Sequence, residues 1–206
     1  VVGTVKPEVA AGLGTPSGTK VVAGAGDNAA AAVGTGVVGE GGCNISLGTS
    51  GTVFISSKKF GMDPNNALHA FAHADGGWHL MGCMLSAASC NKWLCDDILK
   101  TTDYAAEQRD ITPEKLGRNH VYFLPYLMGE RSPINDTNAR GTFIGMTMDT
   151  SRSDLVQAVL EVVAFAIRDS FEVARSLGLE IPSTKICGGG SKSPLWRTIF
   201  ANVLGI

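Results

Sequence analysis

Glycine gathered between apolar runs constrains this chain more than any other feature. The glycines concentrate at Gly24–Gly26, Gly39–Gly42, Gly48–Gly51 and Gly188–Gly190. Glycine reaches backbone conformations closed to other residues and carries no Cβ to block an approaching group. Clusters in this setting mark tight turns or close approach of a ligand to the backbone, not a flexible linker. The elements can be read around these turns. "KVVAG" (20–24) reads as a short buried strand, and Asp27–Val33 as the start of an Ala-rich helix. "CNISLGTSGTVFISS" (43–57) reads as two strands meeting at a Gly-Thr-Ser-Gly turn, the pattern of a hairpin. Trp78–Met84 is a further strand, and Phe60–Asn66 a loop.

The later elements alternate helix and strand. Pro7–Leu13 reads as a helix with proline in its first turn, Ser86–Lys100 as a helix with Leu94, Ile98 and Leu99 on its apolar face, and Tyr104–Asp110 as another. "HVYFLPYL" is a strand stopped by Pro125, "GERSPINDTNARG" a long polar loop, and "GTFIGMTMD" a strand. The longest helix is expected from about Arg152 to Leu177. Ser151 with Asp154 three residues on forms a capping-box pattern at its start, and Gly178 follows its end. Asp154, Glu161, Arg168 and Arg175 recur every seven residues, the pattern of a solvated stripe. "TKICGGG" reads as strand into glycine turn, with Ser193–Leu204 as the next helix. A hairpin first and helices between later strands make this an α/β chain with a mixed sheet.

Composition narrows the function classes. With 206 residues, 44% apolar and 17% charged, the chain can bury a sizeable core. A net charge of −2 without long runs of either sign gives no footprint for nucleic acid or an anionic membrane. No targeting segment and no apolar run of bilayer length is present. The cysteines, Cys43, Cys83, Cys90, Cys95 and Cys187, are odd in number and form no CxxC pair, which reads as reduced, buried thiols in a cytoplasmic protein. His69 and His73 in "HAFAH" have no Cys or acid at zinc-site spacing, so a structural or substrate-side role is expected and no metal ligand is assigned.

Three glycine turns are candidates for ligand binding. "GAGDNA" (24–29) fits G-x-G-x-x-A after a strand, but a dinucleotide fold needs a ribose-binding acid after the next strand. That strand here ends in Gly48-Thr49-Ser50 and turns straight into another strand. "LGTSG" offers hydroxyls and backbone N–H groups that can cradle a phosphate. "GGGSKSPLW" lacks the P-loop spacing. Each turn alone is ambiguous; together they suggest phosphate- or nucleotide-facing turns at strand ends.

The order "GAGDNAAAAVG", "ISLGTSG", "FLPYLMGERSP", "GTFIGMTMDTSRSDLVQAVLE" and "ICGGGSKSPLWR" resembles the C-terminal domain of FGGY-type carbohydrate kinases, with Gly141–Glu161 fitting that family's second signature. "HAFAHADGGWHLMGCMLSAAS" looks most like the xylulokinase branch. The resemblance implies a ribonuclease-H-like (actin-like ATPase) fold and ATP-dependent phosphorylation of a sugar hydroxyl, most simply D-xylulose to its 5-phosphate. Gluconate, fuculose or glycerol are alternative substrates. It makes Asp27 the general base, with Gly26 and Asn28 beside the sugar, Gly48, Thr49 and Ser50 a phosphate turn, and Gly188, Gly189, Gly190 and Ser191 an adenosine turn. Carboxylates as a class are ionised at neutral pH and can accept a hydroxyl proton without unusual tuning. The resemblance also implies Mg²⁺, held mainly by an N-terminal lobe that this chain lacks. Residues 1–206 then read as the C-terminal domain, ending at "NVLGI" short of the domain's tail. Glu130 and Arg131 are expected in a cleft-facing loop, either touching ligand or forming a salt bridge. Self-association as a homodimer is left open. Two alternatives are a non-catalytic actin-like ATP-binding domain and a nicotinamide-dependent oxidoreductase.

Overall fold

The computed structural model describes residues 1–206. The chain opens with β1 (Gly3–Thr4), α1 (Pro7–Leu13) and β2 (Lys20–Val21), in which β1 and β2 pair antiparallel, and then α2 (Asp27–Gly34). Four strands follow: β3 (Cys43–Leu47), β4 (Gly51–Ser57), β5 (His69–Ala72) and β6 (Trp78–Met84). Next come α3 (Ala88–Trp93), prolonged by a π-helical turn over Leu94–Ile98, and α4 (Tyr104–Gln108). The small hairpin of β7 (Tyr122–Leu124) and β8 (Thr142–Ile144) precedes α5 (Arg152–Ser176). Then β9 (Lys185–Cys187), a 3₁₀ turn over Gly189–Lys192 and α6 (Pro194–Leu204) close the chain.

The central sheet has the order β5-β6-β4-β3-β9. All its pairs are antiparallel except β3 with β9, which run parallel. Alternation along the strands explains its two faces. Ile45, Leu47, Val53, Ile55, Leu80 and Met84 join the main core against α5 and α6. Phe54 points the other way, into a small cluster with Ala32 and Val37 at α2. On α5, Val159, Leu160, Val163, Ile167 and Phe171 are fully buried, each worth about 1.5–3 kcal/mol of apolar transfer. The expected capping box is formed: the Ser151 hydroxyl accepts from Asp154 N–H while the Asp154 carboxylate accepts from Ser151 N–H at 2.8 Å.

The structure departs from the sequence reading in several places, and adds strand β5, which was not expected. "KVVAG" forms a two-residue exposed strand, because its only partner is β1 and Val21 and Val22 have nothing packed over them. The π-helical turn rotates Ile98 off the apolar face, leaving it 54% exposed while Leu94 stays buried. The charged stripe on α5 is only partly solvated, with Arg168 exposed. Glu161 is buried, accepting from Gly117 N–H and the Gln157 amide, and Arg168 and Arg175 donate to the last carbonyls of α6. The loop after Gly129 is polar in sequence yet buries Glu130 and Ser132. No helix is long and apolar enough to cross a membrane.

Candidate functional site

Parallel pairing of β3 with β9, in the register Ser46 opposite Cys187, sets the turns that follow these strands side by side at their carboxyl ends. Crevices at that edge are where open α/β sheets receive ligands. The two turns touch through backbone. Gly188 has φ +89°, and a Cβ there would lie 2.6 Å from the Leu47 carbonyl oxygen. Gly48, Thr49, Gly189 and Gly190 line a cleft of about 810 Å³, within the range of small-molecule sites. Its other walls are Ser89, Asn91 and Lys92 of α3, Tyr104 and Gln108 of α4, and Ser193, Pro194 and Trp196 at the start of α6. Ser50, Gly188 and Ser191 belong to the same turns without lining the cleft. A second depression of about 540 Å³, by Phe60, Trp78 and Leu177 at the other end of β4, holds none of the sequence-assigned residues.

The start of α3 orients the hairpin turn. Ala88 N–H donates to the Gly48 carbonyl and Ala87 N–H to the Thr49 carbonyl, both at 2.9 Å, and the Ser89 hydroxyl donates to the same Thr49 oxygen at 2.7 Å. Gly48 N–H is used inside the turn, on the Ser50 carbonyl at 3.1 Å. The N–H groups of Thr49 and Ser50 donate to nothing within the chain. With its carbonyls committed to α3, the turn presents these two N–H groups and the Thr49 hydroxyl, a donor set suited to an anion. Of the three residues read as phosphate donors, Gly48 has its backbone N–H already used within the turn.

Internal bonds close the second turn. Ser191 donates its N–H and its hydroxyl to the Gly188 carbonyl, so it builds the turn. Ser193 caps α6 by accepting from Trp196 N–H and donates its hydroxyl to Gln108 Oε1 at 2.6 Å, tying α4 to α6 across the floor. The buried Trp196 indole donates to the Leu160 carbonyl at 2.9 Å. Gln108 and the α3 residues were missed in the sequence, where they carry no motif; the Ser-Pro start of α6 was the one available signal.

Asp27 lies outside this cleft, exposed at the first residue of α2 with Gly26 before it as N-cap. A carboxylate is favoured there by the helix N-terminus. Its Oδ1 accepts from Asn28 N–H at 2.8 Å, and Oδ2 accepts no hydrogen bond within the chain. The Asn28 side chain accepts from the Thr52 hydroxyl at 3.1 Å, which fixes the start of α2 to β4 one residue beyond the hairpin turn. The structure thus joins the Gly26–Asn28 group to the turn through Asn28–Thr52.

Glu130 and Arg131 form no ion pair with each other. Glu130 is 2% exposed, and its Oε1 accepts from the N–H groups of Leu85 at 2.8 Å and Arg131 at 2.7 Å. Burial pushes its carboxyl above the ordinary range, partly offset by those two donors. Arg131 turns outward and donates from Nε to His69 Nε2 at 3.1 Å. His73 donates from Nε2 to the Val37 carbonyl. All the cysteines are unpaired, and burial pushes the Cys43 and Cys90 thiols up to about 12.

Comparison with known proteins agrees with this geometry. Residues 43–206 match the model described as "FGGY family of carbohydrate kinases, C-terminal domain". Over its full length the chain is 41% identical to the xylulose kinase of Escherichia coli strain K12 and 40% identical to that of Klebsiella pneumoniae, in each case spanning 42% of the relative. Among solved structures, a xylulose kinase from Brucella ovis superposes with TM-score 0.89 at 44% identity, over 98% of this chain and 42% of that one. A gluconate kinase from Lactobacillus acidophilus gives TM-score 0.85 at 27% identity, over 98% and 41%. The fold is accordingly the actin-like, ribonuclease-H-like one, with a mixed sheet flanked by helices. The match over residues 43–206 shows that this chain belongs to the FGGY family of carbohydrate kinases.

Proposed function

We propose that the chain is the nucleotide-side lobe of a sugar kinase that moves the γ-phosphoryl group of ATP to a hydroxyl of D-xylulose. The reading rests on one observation: the hairpin turn with its unpartnered Thr49 and Ser50 N–H groups shares a cleft with the Gly189–Gly190 turn. Phosphates lie against the first turn and adenosine against the second. Asp27 takes the proton from the attacking hydroxyl as its oxygen bonds to the γ-phosphorus and ADP leaves. Free Oδ2 and the small residues around Asp27 leave room for a polyol. Phosphoryl transfer asks for positioning and charge stabilisation more than covalent chemistry, and a carboxylate base with an anion-binding turn supplies both.

Mg²⁺, which bridges phosphate oxygens in such reactions, fits the remainder of the cleft poorly. No group of three His, Cys, Asp or Glu side chains converges in this chain. Its protein ligands are assigned to the opposing N-terminal lobe, together with most of the sugar contacts. The chain spans 42% of the relatives' length, so that lobe is its required partner, and unpaired thiols support a cytoplasmic location. D-xylulose is favoured over other sugars by the 41% identity to a xylulose kinase. A coupled ADP-release assay on the full-length protein with D-xylulose, gluconate, fuculose and glycerol tests this. Turnover highest with D-xylulose is expected; turnover with none of them would remove the reading.

A further inference from the structure

Glu130 is buried in a loop whose sequence is polar, and a buried carboxylate carries a desolvation cost that two hydrogen bonds to one oxygen do not fully offset. Its Oε2 has no partner, nor do the buried hydroxyls of Ser86 and Ser132, which flank the bonded backbone of Leu85 and Arg131. A site that breaks a local rule at this cost is expected to hold something in place for function. The bonds show what it holds. Glu130 Oε1 accepts from Leu85 N–H, and Ser132 N–H donates to the Cys83 carbonyl, so the loop grips the end of β6 at Cys83 and at Leu85, the residue that follows the strand. Two residues further on, Ala87 and Ala88 donate to the Thr49 and Gly48 carbonyls, and the Ser89 hydroxyl adds a third bond. Gly51 packs on the same junction, since a Cβ there would meet Met84 at 2.9 Å and Ala87 at 3.0 Å.

We propose that Glu130 is a positioning residue for the phosphate turn: by fixing Leu85 it sets the Ala87–Ser89 donors that orient the turn carrying the free Thr49 and Ser50 N–H groups. It touches neither phosphate nor sugar. The inference rests on the nucleotide role proposed above for that turn. It requires an oxygen at the Oε1 position, and charge on the side chain is secondary. Glutamine keeps that acceptor and removes the buried charge. Aspartate keeps the charge but withdraws the oxygen by one methylene.

The test uses the full-length protein, with Glu130→Asp and Glu130→Gln compared by KM for ATP, KM for sugar, and hydrogen exchange at the Ala87 and Ala88 amides. Glu130→Asp is expected to raise KM for ATP about tenfold and to speed exchange at both amides about tenfold or more, as loss of a bond to a charged group implies. Its sugar KM should stay within about twofold. Glu130→Gln should stay within about threefold of wild type in every reading. Equal damage from both variants, no change in Glu130→Asp, a parallel rise in sugar KM, or loss of a cooperative melt in both would overturn the proposal. Hydrogen exchange reads the positioning without reference to turnover. A wild-type protein with no kinase activity but with the expected exchange pattern would therefore remove the functional reading alone.

Discussion

Thr49 separates two tasks onto different atoms. Its carbonyl accepts from Ala87 and Ser89, while its hydroxyl and N–H stand free at the cleft. Thr49→Val removes the hydroxyl and keeps the shape, so fold stability should change by no more than about 0.5 kcal/mol. KM for ATP should rise about three- to tenfold through loss of one donor; unchanged nucleotide affinity would count against the phosphate role. His79 shows a different residue-scale effect. It stacks on Phe54 at 3.9 Å and Phe71 at 5.4 Å, and burial there, followed by neighbouring His73, pushes its pKa from 6.5 down to about 4. The unfolded chain therefore binds a proton that the folded chain refuses between these two values. Stability should be intact above pH 6.5 and fall as the pH drops toward about 4, by up to about 1.4 kcal/mol per pH unit. Urea titrations across this window should show a flatter profile for His79→Phe. Among single residues, the place of Asp27 at the start of α2 was legible, because an acid opening an Ala-rich run suits a helix N-terminus. Glu130 was not, because nothing in "GERSP" tells a solvated loop from one folded under β6.

Elements were legible wherever local chemistry decided them. The Gly-Thr-Ser-Gly hairpin, the capping box of α5 and the Ser193 cap of α6 all form from residues within a few positions of each other. The burial of Glu161 was not, since it depends on Gly117, far along the chain, and the four-residue β5 was missed although its partner β6 follows closely. The glycine turn after β9 allows a test at this scale. Gly188 combines φ +89° with backbone of Leu47 against its Cβ position, whereas at Gly189 nothing lies within 4 Å. Gly188→Ala should cost about 1–3 kcal/mol of stability. Gly189→Ala should leave stability within about 0.5 kcal/mol and act on nucleotide affinity alone, as paired melting curves and ATP titrations will report. A Gly189→Ala protein as unstable as Gly188→Ala would mean that the turn is packed for the fold and not opened for a ligand.

At the scale of the whole molecule, sheet topology brings the turns together. Antiparallel β3–β4 places one turn, parallel β3–β9 places the other, and their shared edge is the cleft. Topology of that kind is hidden from any short stretch of sequence, and only the order of motifs along the chain hinted at it. The start of α2 is joined to this edge through Asn28 and Thr52, and under the proposed function that bond links Asp27 to the phosphate turn. The central claim is that Asp27 does the proton transfer while the cleft holds ATP independently of it. Turnover of D-xylulose by full-length Asp27→Asn, measured alongside its ATP affinity, tests this most directly. Turnover lower by about 10²–10⁴ with ATP affinity unchanged is the expected result, and wild-type turnover in that variant would contradict it.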